Sequence, residues 1–430
     1  PRSYIQKCVV GGRCMSRENK KYIITEEKHG LLNDFDGVSL YPSAMYRMDG
    51  VLMGLPKLLK RKHIEKLNNK DFSFCDGFFC KIKITNIRIN RAFPLMSYKD
   101  DEIRQFENKC GDIYIDKTGL EDLIEFHDIS YSVYHGYYYN DGRNPKLKSF
   151  ILGLFNERLK KKADNNPIQE SYKLLMNAFY GKTIMKPIHD EYNFTYGKER
   201  FYKELNYHFE RIKQVWPITE KQYFLKKAKP ILEHFSSPHI GTEILSMSKR
   251  IMNEVMCLAE DNKINIYYQD TDSMHIEDSK VKTLGELYQK KYGRVLIGKN
   301  LGQFHCDFNM KKANNIVSTK CIILGKKCYY DLLRGEQNGR YVYDEHYRMK
   351  GVAQKTIGTC AYVVDENGEF DKEMTTGLYN ENGKIDIEQV YLTLYNGATV
   401  EFDMFDVCKF EFHNNMTTTN RDSFIRKIKF

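Results

Sequence analysis

The run Tyr267–Glu277, YYQDTDSMHIE, sets two aspartates, Asp270 and Asp272, around a single threonine, Thr271. Apolar, β-prone residues lead into it (Ile264, Ile266, Tyr267, Tyr268), and Met274 and Ile276 alternate with polar residues after it. That pattern reads as strand, tight turn, strand. Side chains at i and i+2 of an extended segment share a face, so this spacing lets two carboxylates converge. Like charges that close repel and raise one pKa, and a divalent cation with oxygen ligands relieves the repulsion. Read alone, the run fits a polar hairpin tip equally well, because Asp and Thr are ordinary turn residues.

Two further runs carry groups that suit the same chemistry. Asp34–Met45 reads DFDGVSLYPSAM, with Leu31 and Leu32 before it and Asp36 where a short apolar strand would end. Pro42 biases Tyr41 away from helix, so the chain is expected to leave that strand in a fixed turn. Lys173–Gly181 reads KLLMNAFYG. On a helix, Lys173, Asn177 and Tyr180 fall at i, i+4 and i+7 and form one stripe. Ile168, Tyr172, Leu175 and Phe179 then cover the other side and are expected to face a core. A cation, an amide and a phenol on one working face suit a phosphate joined to a sugar and a base.

In this order and spacing the three runs resemble the motifs of family B DNA polymerases: DxxSLYPS as motif A, KxxxNxxYG as motif B and YxDTDS as motif C. Lys327-Cys328-Tyr329 resembles the family's KxY motif, with Lys326 an alternative source of the lysine. Val10-Gly11-Gly12-Arg13 resembles the glycine pair that opens the polymerase domain of the protein-primed branch, which often has tyrosine at the position of Val9. Motif B usually carries serine where this chain has Ala178. The resemblance spans about Gly11 to Gly351.

The resemblance implies an α+β right-hand polymerase, with an antiparallel-sheet palm, helical fingers and a C-terminal thumb. It implies template-directed attack of a primer 3′-hydroxyl on a dNTP, with Asp36 and Asp272 holding two Mg²⁺ ions and Mn²⁺ as a substitute. Asp270 is a further catalytic carboxylate, either an outer ligand or a shaper of the turn. The backbone at Gly37, Val38 and Ser39 is expected to approach the triphosphate. Ser39, Leu40, Tyr41, Arg158, Lys161, Lys173, Asn177 and Tyr180 are the nucleotide-binding candidates. Tyr41 and Tyr180 are expected to pack on sugar and base and to exclude a 2′-hydroxyl. Gly11, Gly12, Thr271, Lys327 and Tyr329 are the DNA-binding candidates, the last two at the primer end. Partners so implied are primer-template DNA, dNTPs and a terminal priming protein. The expected setting is intracellular, in the host cytoplasm or nucleus, on a viral, plasmid or transposon-like linear genome. The rival reading is a catalytically silent, polymerase-derived nucleic-acid-binding protein, whose signature would be loss of the carboxylates. DTD in place of YxDD argues against a reverse transcriptase.

These motifs need elements to position them. A chain of 430 residues exceeds a single core and calls for two or more subdomains. Its formal charge of +10 suits a polyanionic partner. Eleven scattered cysteines without a CxxC pair suit reduced thiols inside a cell. No secretory leader is expected from the residues at the start, and no apolar run nears the ~20 residues that span a membrane. The chain opens on Pro1, as expected of a piece of a longer protein, and no exonuclease motif set is visible.

The expected division starts with palm over 1–56. An insertion over 57–144 follows, with the basic run Lys57–Lys66, a strand pair in Gly77–Ile89, a helix at Leu120–His127 and a strand at Ile129–Tyr139. In the protein-primed branch that interval binds the priming protein. Fingers are expected over 145–186 as a helical hairpin, Arg158 and Lys161 sharing a face and Lys160 and Lys162 solvated. A second insertion over 187–235 holds three short strands, Tyr192–Tyr196, Ile212–Val215 and Tyr223–Leu225, with Trp216 packing. In the protein-primed branch this interval is associated with strand displacement and processivity. Palm resumes over 236–350, with an amphipathic helix at Ile240–Ala259 and strands at Leu301–Phe308 and Asn315–Leu333. A thumb is expected by position over 351–430, with helical signals alternating with polar turns from Thr375 onward and a basic end at Arg421–Phe430.

Overall fold

The computed structural model describes residues 1–100, 103–185, 190–230, 236–359, 361–404, 409–412, 418–421 and 425–430. Joins expected at 186–187 and at 235 therefore fall outside the described residues. Its centre is a nine-stranded antiparallel sheet. The path runs Cys14–Ser16, Ile266–Asp270, Ser273–Glu277, Leu32–Gly37, Asn314–Gly325, Cys328–Gln337, Arg340–Met349. Phe304–Cys306 pairs with Leu32–Gly37, and Tyr22–Thr25 with Asn314–Gly325.

One face of this sheet is apolar by alternation: Phe35, Met274 and Ile276 point to the helix Pro238–Asp261. That helix answers with Ile244, Ile251, Met252, Val255 and Met256 at helical spacing, all buried. A fully buried side chain of this kind contributes roughly 1.5–3 kcal/mol. The same core takes Phe155 and Met176 from two packed helices, Lys146–Ala163 and Gln169–Ile184, which form the expected hairpin. The far side of Gln169–Ile184 differs from expectation. Ile168 and Leu175 are exposed, at 48% and 52%, while Met176 and Phe179 make the core contact. The helix packs on the helices Leu40–Arg47, Lys146–Ala163 and Pro238–Asp261 along a narrow seam and leaves the rest open.

Residues 57–144 build their own core on a four-stranded sheet, order Lys57–Leu58, Ile129–Tyr139, Gly77–Ile87, Gly111–Asp116. Gly77–Ile87 is one long strand rather than a pair, paired along its length with Ile129–Tyr139 and with no Gly or Pro after Gly77 to reverse the chain. The unit is fused to the long helix by buried polar bonds: Ser246 Oγ donates to Asp116 (2.7 Å) and Asn253 Nδ2 to Asp122 (3.0 Å). A separate three-stranded sheet joins Asp190–Tyr196, Gln222–Ala228 and Ile212–Pro217.

Asn315–Leu333 is a hairpin, not one strand; the chain reverses at Lys326 and Lys327, and Lys327 takes a left-handed φ of 57°. Beyond 351 the helices Lys372–Thr376 and Ile387–Tyr395 pack on a sheet of Phe370–Asp371, Ala361–Val364, Thr399–Asp403 and Ile425–Ile428. The helical expectation missed that sheet, since its strands are short and its pairing joins segments far apart in sequence.

Candidate active site

Sheet register decides which acids meet. Asp36, at the end of Leu32–Gly37, lies opposite Ser273, so it stands abreast of the turn that carries Asp272. Gly37 N–H donates to the Asp272 carbonyl (2.8 Å), which locks strand to turn. A Cβ on Gly37 would sit 3.2 Å from the Phe304 ring and 3.3 Å from the Asp272 carbonyl, so the approach is tight. Asp36 and Asp272 line one cleft of about 940 Å³. Asp270 does not join them. Thr271 turns with φ 57° and the Asp272 N–H bonds back to the Asp270 carbonyl (2.7 Å), so the two aspartates do not lie on one extended face. Asp270 instead pairs with Lys327 Nζ at 2.8 and 3.0 Å and lines a second cavity with Tyr329, Arg348 and Lys350.

The cleft has acids and bases that the motifs did not reveal. His305 lies opposite Asp36 in register, and both His305 and Asp307 line the cleft. Alternation was the available signal: Phe304, Cys306 and Phe308 are apolar while His305 and Asp307 are polar, one strand face each way. Burial, then Asp272, Asp307 and Asp34, push the Asp36 carboxyl up to about 8, with Lys173 easing the effect. Asp272 is raised by burial and by Asp270 and Asp34. Burial and the crowding of like charges both disfavour the ionised carboxylates here.

Helices supply the cations. Lys173, Asn177 and Tyr180 all line the cleft from one stripe of Gln169–Ile184. Arg158 does so from the facing helix, and its Nη1 donates to Ser39 Oγ (3.1 Å). Lys162, one turn after Arg158, lines the cleft together with Lys299; Lys161 does not. An i, i+4 step holds the inward stripe of this helix, and Lys161 falls beside it. Lys160 pairs with Glu157 at 2.7 Å.

The strand-to-helix join also departs from expectation. Tyr41 and Pro42 lie inside the helix Leu40–Arg47. Proline is tolerated in a first turn, where its missing N–H has no intrahelical acceptor. Gly37 and Val38 spend their N–H groups on the carbonyls of Asp272 and Gln303, so neither amide is free for a phosphate. The first-turn amides of Leu40 and Tyr41 follow, both residues lining the cleft, after Ser39 in a left-handed conformation (φ 47°). Tyr41 and Tyr180 stack with centroids 3.9 Å apart and planes at 22°.

Gly12 packs against the Thr271 turn, and neither Gly11 nor Gly12 lines the cleft. A Cβ on Gly12 would lie 2.6 Å from the Thr271 side chain, and Thr271 N–H donates to the Arg13 carbonyl (2.9 Å). Lys327 supplies the ammonium beside Asp270, whereas Lys326 Nζ donates to the Arg104 carbonyl (2.8 Å). Tyr329 is mostly buried against Tyr268 and His275 but reaches the second cavity.

A palm sheet with carboxylates at its hairpin, faced by a two-helix finger that carries cations, defines a right-hand polymerase fold. The model of DNA polymerase type B, organellar and viral, matches residues 2–257, well over half of the sequence, and the chain belongs to that family. It is 23% identical to a DNA polymerase of Kluyveromyces lactis over 373 residues, which covers 82% of this chain and 33% of that protein. It is 26% identical over 147 residues to the uncharacterized protein 075R of Invertebrate iridescent virus 3, covering 33% of this chain and 85% of that one. Its fold is similar to Phi29 DNA polymerase complexed with primer-template DNA and incoming nucleotide substrates, with TM-score 0.59 and 15% identity over 100% of this chain and 62% of that chain. Against the orthorhombic crystal form of Phi29 DNA polymerase the values are 0.54 and 16%, over 82% and 56%. The chain thus spans about a third of the yeast polymerase. Among the described residues no helix is long and apolar enough to cross a membrane.

Proposed function

We propose that this chain performs template-directed addition of dNMP to a primer 3′-hydroxyl. The observation that carries the reading is the convergence of Asp36, Asp272 and Asp307 on a cleft whose helical wall offers Lys173, Arg158 and Lys162. The acids present oxygen donors, and burial together with Asp272, Asp307 and Asp34 raises the Asp36 carboxyl, so the set fits hard divalent cations such as Mg²⁺ or Mn²⁺. Asp36 and Asp272 would hold the ions, which when bound would acidify the 3′-hydroxyl and offset charge on the phosphates. Lys173 and Arg158 hold the triphosphate as point charge and planar fork, and Asn177 supports it. The first-turn amides of Leu40 and Tyr41 add donors where a helix N-terminus favours anions. The stacked Tyr41 and Tyr180 form the wall beneath the sugar and exclude a 2′-hydroxyl. Lys327 and Tyr329 hold the primer end, and Gly11 and Gly12 let DNA approach the Thr271 turn.

In this reading residues 1–56 and 236–350 are palm, 145–186 fingers, 351–430 thumb, and 57–144 and 187–235 insertions. Initiation on a protein hydroxyl belongs to the same proposal, with residues 57–144 as the docking unit for a terminal protein. The test is primer extension on a template with a 5′ overhang, with Mg²⁺ or Mn²⁺ and with dNTPs or rNTPs. Incorporation of dNTPs supports the reading. Tight primer-template binding without incorporation of either class would favour the silent, polymerase-derived scaffold.

A further inference from the structure

The palm sheet carries a second set of polar side chains that the proposed reaction does not use. Alternation sends Phe35, Met274 and Ile276 to the helix Pro238–Asp261, so Asp34 and His275 point to the opposite face. Register extends that row: His275 lies opposite Asp34, Cys321 opposite Asp331, and Asp331 opposite His346. Directly opposed residues of antiparallel strands stand about 4.5–5.5 Å apart at Cβ. Cys321 and Asp331 are fully buried and His275 nearly so. The rings of Tyr268, Phe308 and Tyr329 pack on His275, with centroids at 5.6, 5.7 and 5.2 Å.

Three unlike donors meet under those rings. His275 Nε2, Cys321 Sγ and an Asp331 oxygen all lie within 4.8 Å of one another. An imidazolium–carboxylate pair, His275 Nε2 to Asp331 at 2.9 Å, uses two of them and leaves loose ends. His275 Nδ1 and Asp34 Oδ1 are buried 3.9 Å apart, and neither makes a hydrogen bond. His346 Nδ1 stops 3.7 Å from the Asp331 carboxylate, beyond hydrogen-bond reach.

We propose that His275, Cys321 and Asp331 form a structural Zn²⁺ site, with His346 next in reach for the fourth position. Imidazole, thiolate and carboxylate are the donors zinc takes, and a thiolate disfavours Mg²⁺ and Ca²⁺. Zinc bonds of about 2.0 Å to nitrogen or oxygen and about 2.3 Å to sulfur put tetrahedral ligands roughly 3.3–3.6 Å apart. A closing shift of about 1 Å brings the three donors to that spacing. Charge balances as well. Zn²⁺ displaces the imidazolium proton of His275 and the S–H proton of Cys321, and both protons leave to solvent. The cluster keeps the same net charge, so the buried ion adds none; the protonated pair is its metal-free form. Asp34 fits the same scheme, because a ligating imidazole commonly gives its other N–H to a carboxylate. His346, with a quarter of its side chain exposed, gives the ion a way in.

Such an ion ties Ser273–Glu277, which follows the Thr271 turn, to the hairpin that presents Lys327 and Tyr329. It is separate from the oxygen donors of the cleft, which no cysteine lines, and it does not rest on the proposed function.

The experiment uses the full chain, kept reduced, purified from cells supplied with Zn²⁺ or with Co²⁺ in its place. The zinc form should retain about one equivalent of metal through dialysis. The cobalt form should show thiolate-to-Co²⁺ charge-transfer absorption in the near ultraviolet. Cys321→Ser should lose that band, whereas Cys110→Ser, at an exposed thiol, should keep it. Zn²⁺ should raise the urea midpoint of the parent over its EDTA-treated form and leave that of Cys321→Ser unmoved. A parent chain that retains less than a tenth of an equivalent would overturn the proposal, as would a band that survives Cys321→Ser. If Cys321→Ser does not fold, the parent decides: bound cobalt without the band sinks the site, and the band supports it. Primer extension is no part of the readout, so its failure would bear on the proposed function alone.

Discussion

Two carboxylate clusters sit on the same palm sheet and are handled in opposite ways. In the first, Asp331 is fully buried and accepts from His275 Nε2 (2.9 Å) and Ser318 Oγ (2.8 Å), with His346 Nδ1 at 3.7 Å. Burial alone would raise its pKa, but the two histidines outweigh it and hold the carboxyl well below the usual range. Burial would lower His275, yet Asp331 and Asp34 raise it to about 9. In the second, Asp36, Asp272 and Asp307 share an open cleft, and Asp36 is raised instead. The first cluster is neutralised within the fold. In the second, no basic side chain pairs with Asp36 or Asp272 as His275 does with Asp331; the cations that line the cleft, Arg158, Lys162, Lys173 and Lys299, make no ion pair with either acid among the described residues.

The sharpest way to break this contrast is to remove an acid from the cleft. Asp36→Ala or Asp272→Ala should lower primer extension by at least ~10⁴-fold, about 5.4 kcal/mol of barrier. Primer-template affinity should stay within a fewfold, since phosphate contacts dominate it. Asp36→Asn should also raise the metal-free urea midpoint, because it removes repulsion. Extension within tenfold of the parent would remove the two-ion assignment.

The opposite substitution belongs to the structural cluster. His275→Ala leaves Asp331 buried and half-partnered, and should cost roughly 3–5 kcal/mol of stability. Here pH sharpens the comparison. The raised His275 contributes stability that is complete below its unfolded value of about 6.5 and is lost as pH rises through about 9. Asp331, lowered, has the reverse sign: its contribution is present above about 3.9 and is lost as pH falls toward its folded value. Asp36 is raised like His275, so its contribution also fades between about 4 and about 8. Urea midpoints at pH 6 and 9.5 in an Asp36→Asn background should therefore fall with rising pH, and His275→Ala should flatten that fall. A slope unchanged by His275→Ala would leave the buried pair out of the balance.

A smaller effect concerns the wall of the cleft. Tyr41→Ala should raise rNTP relative to dNTP efficiency by about 10- to 100-fold, and Tyr41→Phe should change it little, since the ring excludes by a clash. An unmoved ratio in the alanine variant would pass the gate to Tyr180.

The smallest tests helix rotation. Lys162→Ala should raise the dNTP KM by about threefold to tenfold, while Lys161→Ala should shift it less than twofold, as expected for a solvated charge. Equal effects would return Lys161 to the site.

Much of the site was legible in residue types. The stripe Lys173, Asn177, Tyr180 needed only the helical period, and it faces the cleft. The helix Pro238–Asp261 and the hairpin at Thr271 needed only apolar alternation. Pairing of Asp270 with Asp272 failed because one left-handed residue between them broke the two-residue face rule. His305 and Asp307 were passed over because they sit on and just after a three-residue strand without a motif.

What the sequence by itself determined is the chemical inventory of the cleft and the local elements that bear it: aspartates at strand ends, cations on two helices, aromatic rings near both. Short-range periodicity and turn chemistry suffice for that, since they act within a few residues. Which acids meet was decided by the tertiary structure. Asp36, Asp272 and Asp307 are brought together by antiparallel register among strands that start at 32, 273 and 304, and register depends on burying one shared face against a distant helix. The diversion of Asp270 to Lys327 has the same origin, because strands far apart in sequence set two turns side by side and a 2.8 Å ion pair followed.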